Sequence, residues 1–373
     1  MHIYNDLIGK IQSGELSLGA KLPTEIELAK MYNVSRITVN HALKKLSENN
    51  IIYRVKKGGT FINGKRKAKS QLIVPIILQN SFDENARIFE SASRYALLNN
   101  CFLDLHISNN KIEKERKLLT SILEMPISGV IIYPVQSYQN IDLYSLLQIR
   151  KIPFVFLDRE ITGIRTSCVY PANKQSIYEM VRQLVSLGHR RIAYFAVTDD
   201  MASSELARFR GYCEGMTSCG IPIRSNYILQ LKGYQQRFTS NTHTFGQTSF
   251  ESRCAQCVQQ ILEMEDPPTA IICTNDVNAL TLMDMLQKKG KRIPEDISIT
   301  GFDNLAATLT HKPLITTMEQ NFEEMGKTAV QAILQLIESP TVFRNYTIPV
   351  KSLNRESVAD LRDNAENKKF DDA

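Results

Sequence analysis

No stretch of the 373-residue sequence approaches the run of about 18 apolar residues that a membrane-crossing helix needs. The longest apolar runs, residues 127–135 and 152–157, read instead as buried strands. Residues 1–10 carry Asp6 and Lys10 and no apolar block of signal-peptide length, so export is not expected and a cytoplasmic protein is. The seven cysteines are odd in number and scattered, which excludes a disulfide framework and fits a reducing compartment. Cys254 and Cys257 form a CxxC with no second pair and no neighbouring histidine, so helix packing is expected there and no metal. Walker, GxGxxG, GxSxG and HExxH motifs are all missing, and neither catalysis nor a cofactor is expected.

What is present is an ordinary globular composition, 43% hydrophobic and 23% charged, with length for two or three folding units. The net charge of +6 is not spread evenly. Residues 1–70 hold 13 Lys and Arg against 5 Asp and Glu, whereas the rest holds 32 against 34. A basic module on a neutral body is the footprint of polyanion binding.

Within that module Ile3, Leu7, Ile8 and Ile11 share a helical face, with Gly14 as a stop. Thr24 and Glu27 make a capping box ahead of a second helix, and Ser35 caps a third after a two-residue turn, Asn33 and Val34. Residues 51–54 and 60–62 then form two short strands joined through paired glycines, a wing. The expected DNA face takes Arg36 and Asn40 toward base edges, because arginine suits guanine and asparagine suits adenine. Ser35, Thr38, His41 and Lys44 lie on or beside the same helix, Thr24 and Glu25 start the preceding one, and Lys56, Lys57 and Gly58 form the wing tip. A solvated, charged helical hairpin is the bland alternative.

The run LPTEIELAKMYNVSRITVNHALKKLSENNIIYRVKKGGTFI resembles the GntR-family winged helix-turn-helix, a resemblance covering residues 2 to about 63. It implies that Arg36, Thr38 and the residues around Gly58 meet DNA. Three positions depart from the family: Ile26 and Asn40 stand where arginine is common, and Lys57 where a wing glycine is usual. The operator sequence is therefore not expected to be the family's standard one.

NGKRKAKS ends the module, and residues 64–70 read as a basic linker. From residue 71 buried strands alternate with helices of ten to fifteen residues, twice over, which implies two parallel α/β lobes with a ligand cleft between them. The expected architecture is an N-terminal winged helix (1–63), the linker, a two-lobed α/β sensor (71–355) and an unpatterned, disordered tail (356–373). LVSLGHRRIAYFAV, the ARFRGY around Arg208, TNDVNAL, KRIPEDISITGFDN and PLITTMEQ resemble the effector domain of the LacI family, itself similar to periplasmic sugar-binding proteins. A GntR-type reader on a LacI-type sensor is the arrangement of the arabinose-repressor group. Where LacI relatives often have an Asp-Asn pair, this chain has Pro171, Ala172 and Asn173.

The resemblance offers Arg208 as donor to a sugar, with Asp276 and Asp158 as acceptors. Asp276 as a helix cap and Asp158 paired to Arg159 are the structural alternatives. Phe82 and Asp83 follow the first strand as an aromatic wall and a further acceptor, and Phe245 and Phe250 are weaker candidates. Asp303 and Asn304 are read as lying where the chain recrosses between lobes, with Gln320 in a similar place. The implied protein is a homodimeric repressor that binds an inverted-repeat operator and a monosaccharide, arabinose being one candidate. A transport or receptor protein with the same sensor, or a sugar- or nucleoside-processing enzyme, are the competing readings.

Overall fold

A computed structural model describes residues 2–12, 15–17, 19–48, 51–55, 58–63, 71–196, 202–230 and 250–362. Gly14, Lys56, Lys57, the 64–70 linker, Phe245 and residues 363–373 lie outside the described residues. The chain divides into two compact units, Met1–Gln71 and Leu72–Ala373.

In the first unit α1 (His2–Gln12), α2 (Glu25–Met31) and α3 (Arg36–Glu48) precede an antiparallel pair, β1 (Ile52–Val55) and β2 (Gly59–Ile62). Leu7, Leu28, Val39, Leu43, Leu46, Ile52 and Ile62 close one small core. The capping box forms, with the Thr24 hydroxyl accepting from the Glu27 N–H and Glu27 accepting from the Thr24 N–H. Lys21 bridges to Phe61, and the Leu22 and Ile62 N–H groups bond across to Thr60 and Ala20, so the α1–α2 connection adds a third edge to the wing. Gly59 has φ +112°, a reversal that only glycine makes without strain.

The second unit begins with β3 (Leu72–Leu78), α4 (Asp83–Leu98), β4 (Cys101–Ile107), α5 (Ile112–Leu123), β5 (Val130–Ile132), α6 (Ile141–Ile149), β6 (Phe154–Leu157) and β7 (Ser167–Pro171). It continues through α7 (Asn173–Ser186), β8 (Ile192–Ala196), α8 (Ser203–Ser218), β9 (Ile228–Gln230), α9 (Phe250–Glu263), β10 (Ala270–Cys273), α10 (Asp276–Lys288), β11 (Ser298–Asp303) and β12 (Thr316–Gln320). Last come α11 (Phe322–Glu338), β13 (Asn345–Ile348) and β14 (Val350–Leu353). Two six-stranded sheets result, ordered β13-β7-β6-β5-β3-β4 and β14-β12-β11-β10-β8-β9. All pairings are parallel except β12 with β14. The central strands β5, β6 and β10 are buried on both faces, which explains the unbroken apolar runs.

The two lobes are not two successive pieces of chain. The chain passes from one sheet to the other after Pro171, returns after Gln320, and crosses again between Ile348 and Val350. Asp303 and Asn304 are thus not at a crossing, because β11 and β12 are neighbours in one sheet; Gln320 is.

The tail expectation also needs correcting. Residues 356–362 pack on the second lobe: Ser357 is fully buried and donates to the Ile299 carbonyl at 2.6 Å, and the Leu361 N–H reaches the Leu187 carbonyl at 2.8 Å. Backbone and hydroxyl hydrogen bonds hold this segment, and such bonds leave no apolar period to read. His189, which ends the α7 turn, joins the same network through the Ala359 carbonyl, and burial lowers its pKa. Cys254 and Cys257 face the core beneath α9.

Candidate functional site

The first site is the exposed start of α3. Ser35 Oγ accepts from the Thr38 N–H at 3.2 Å and bonds the Thr38 hydroxyl at 2.8 Å, closing the first helical turn. Ser35, Arg36, Thr38, Asn40, His41 and Lys44 are all exposed, and Gly58 lies half-buried in the wing turn. Thr24 spends its hydroxyl on the α2 cap. Glu25 takes the Arg54 guanidinium at 2.9 Å and lies 3.8 Å from that of Arg36, so it braces two arginines. Arg54, on the wing strand β1, gave no signal in the sequence beyond its charge.

The second site lies between the lobes. Arg208, in the second turn of α8, is 5% exposed and its guanidinium stands 3.7 Å over the Phe302 ring. Nε donates to Asn173 Oδ1 at 2.8 Å, Nη1 donates to the Thr274 carbonyl at 2.8 Å, and Asp303 Oδ1 is 3.9 Å away. A desolvated cation over an aromatic face gains on the order of 2 kcal/mol. Asn173, met in the sequence as a departure from the LacI pattern, is therefore what holds the arginine in plane.

Asp303 has φ +123°, a conformation rare for a residue with a side chain, and accepts from Gln320 Nε2 at 2.6 Å. Burial raises its carboxyl to about 8, against the downward pull of Arg208. Asp158, with φ +61°, is 5% exposed; its Oδ2 accepts from the Ser204 hydroxyl at 2.7 Å and lies 3.8 Å from Arg159. Its Oδ1 has no hydrogen-bond partner among the described residues. Tyr133, at the end of β5, feels the charges of Asp158, Arg159, Arg208 and Asp303, and burial raises its hydroxyl pKa well above normal. Arg159 lies over the Tyr133 ring at 5.5 Å. Tyr133 and Ser204 were both missed in the sequence, where they look like one more strand tyrosine and one more helix-start serine.

Asp276 is placed differently from the sequence expectation. It is fully buried, with Oδ1 accepting from the Thr317 hydroxyl at 2.6 Å and Oδ2 from the Leu305 N–H at 2.8 Å. Burial raises its pKa to about 6. It ties α10 to the ends of β11 and β12, and both oxygens are occupied by that task. Phe82 caps α4 at 68% exposed and Asp83 is exposed beside it; among the described residues neither bonds to the Arg208 cluster.

Three hydrogen bonds join the lobes here: Ser204 to Asp158, the Ser203 N–H to Ser137 Oγ at 2.9 Å, and the Glu160 N–H to Ser203 Oγ at 2.8 Å. A cavity of about 1030 Å³ opens beside them, lined from both lobes by Asp158, Tyr138, Tyr170, Asn173, Ser204 and Arg210. Of the Arg208 cluster, Asp158, Asn173 and Ser204 line this cavity, whereas Arg208 and Asp303 lie behind them, and such hydroxyl, amide and carboxyl groups suit a small polyol, whose hydroxyls each need a donor and an acceptor.

An exposed helix-turn-helix followed by a two-lobed unit with a polar cleft is the make-up of a DNA-binding regulator with an effector domain. Residues 1–62 match the model of bacterial regulatory proteins of the gntR family, and residues 181–358 match the periplasmic binding protein-like domain. The chain is 28% identical over 357 residues to the arabinose metabolism transcriptional repressor of Geobacillus stearothermophilus, covering 92% of each. Among solved structures, the transcription regulator CcpA of Lactococcus lactis superposes with a TM-score of 0.65 at 19% identity, over 77% of this chain and 99% of that one. A LacI family regulator from Enterococcus faecium with bound ribose gives 0.62 at 22% identity, over 78% and 100%. The protein is a transcriptional repressor in which a gntR-type helix-turn-helix domain is joined to a LacI-type, sugar-binding-like effector domain. These relatives are regulators, not enzymes.

Proposed function

We propose that this repressor is released from its operator by a neutral monosaccharide, with a pentose such as arabinose first among candidates, bound between the lobes of the effector unit. The observation that carries the reading is the Arg208 cluster. The cluster sets the guanidinium groups of Arg208 and Arg159 beside the carboxyls of Asp303 and Asp158, at 3.9 and 3.8 Å, and Asp158 Oδ1 has no hydrogen-bond partner among the described residues. Together with the Ser204 hydroxyl and the Asn173 amide, these groups supply donors and acceptors in the mixture a sugar ring needs. The relative that represses arabinose metabolism and the structure holding ribose point the same way.

The protein acts as a homodimer in the cytoplasm, since one helix-turn-helix reads one half-site and an inverted repeat needs two. Sugar that favours one lobe closure alters DNA affinity by the factor by which DNA alters sugar affinity. To test this, L-arabinose, D-ribose, D-glucose and their phosphates are titrated into protein bound to an operator selected from random duplexes. Release by a neutral pentose is expected. Operator affinity that stays constant with every sugar rejects the coupling, and release only by a phosphorylated sugar rejects a neutral ligand.

A further inference from the structure

Arg54 stands on the wing strand, in register with Thr60, yet its side chain turns toward the recognition helix. Its Nη2 donates to Asn40 Oδ1 at 3.1 Å and to Glu25 Oε1 at 2.9 Å. Glu25 Oε2 lies 3.8 Å from Arg36. Arg36 and Asn40 are four residues apart on α3 and so share a face. Three elements thereby bring four polar side chains into one exposed group, with Arg36 at 65% and Arg54 at 48% side-chain exposure. Glu25 is the least exposed of the three charged members, at 25%.

We propose that Arg54 reads a base of the operator, as a unit with Asn40, and that Glu25 positions Arg54 and Arg36 for that task. The proposal rests on the start of α3 being the DNA face. An asparagine that reads adenine alone must offer both ends of its amide, Oδ1 to the base amino group and Nδ2 to N7. Here Oδ1 is engaged by Arg54, so Asn40 presents a donor and Arg54 presents the rest of its fork. Two donor groups side by side match the paired acceptors O6 and N7 of guanine. The sequence departs from the GntR pattern by holding asparagine, not arginine, at position 40. The structure returns a guanidinium to that position from the neighbouring strand. Glu25 makes poor sense as a phosphate contact, being an anion. Held between two arginines it reduces the freedom each loses on binding, and one net positive charge remains among the four side chains.

The test starts from the full-length chain and a random duplex pool, from which the preferred half-site is selected. The same selection is then made with Arg54→Ala, Arg54→Lys and Asn40→Ala. Arg54→Ala is expected to erase preference at one guanine per half-site, to weaken the selected operator roughly ten- to hundredfold, and to leave binding to mixed DNA little changed. Arg54→Lys keeps the charge without the fork and is expected to lose the same base preference. Asn40→Ala is expected to disturb that same position, and its effect with Arg54→Ala is expected to be less than additive. Equal weakening on every sequence identifies a phosphate contact and overturns the base-reading role. So does a consensus unchanged by Arg54→Ala. A wild-type chain that enriches no sequence rejects the DNA-facing assignment itself, and with it this inference.

Discussion

The Arg208 guanidinium is fixed on several sides: Asn173 takes Nε, the Thr274 carbonyl takes Nη1, and Phe302 lies beneath the plane. A lysine at this place keeps a positive charge and loses the plane, the ring contact and the second direction of donation. Arg208→Lys is therefore expected to weaken sugar binding roughly ten- to hundredfold, the scale of one or two charge-assisted hydrogen bonds. Calorimetric titration measures it, and unaltered affinity removes Arg208 from the site. At this scale the sequence singled out Arg208 and Asp158, each in a motif, and the structure brings both to the edge between the lobes. The sequence singled out Asp276 from an equally plain motif, and there the side chain turns inward to Thr317 and Leu305. Tyr133 and Ser204 gave no warning, since their importance depends on partners far along the chain.

Between elements, the same kind of distance decides packing. α7 and α8 approach so closely that a Cβ on Gly211 would stand 2.2 Å from the Lys174 carbonyl oxygen and one on Gly215 2.7 Å from Val181 Cβ. The first is a clash with backbone, which cannot rotate away. Gly211→Ala is expected to destabilise the effector unit by about 1–3 kcal/mol, the usual cost of overpacking. It should also shift Arg208, three residues earlier on α8. Urea unfolding of the full chain checks the stability, and a change below a few tenths of a kcal/mol contradicts the close approach. The alternation of strand and helix was plain in the sequence. Which sheet each strand joins was not legible, because an apolar run such as that in β6 is equally content in either lobe. β7, β13 and β14 escaped notice for another reason: they are short, and β13 and β14 are partly exposed edges.

For the whole molecule, the sequence's division of charge and its two family resemblances carried most of the functional reading. The assembly needs more. Leu97 and Leu98 at the end of α4 are 66% and 81% exposed, and Phe102 and Leu105 on the edge strand β4 are 50% and 41%. Exposed apolar groups gathered along one edge are costly in water and suit burial against a second copy. Sedimentation is expected to show a dimer, and Leu98→Glu combined with Phe102→Glu a monomer with weakened operator binding. A wild-type monomer at the concentrations of operator binding refutes this.

The threefold passage between the sheets has a consequence for how the effector unit comes apart. Since α11 and β13 belong to the first lobe but follow α7 to β12 of the second in sequence, and β14 then returns to the second, cutting the backbone once between residues 196 and 202 releases neither lobe. Each fragment then owns strands of a sheet completed by the other, and the pieces remain clasped like the two halves of a buckle. Sequence order and spatial neighbourhood are decoupled here, so the smallest independently heritable sensor is the entire two-lobed unit.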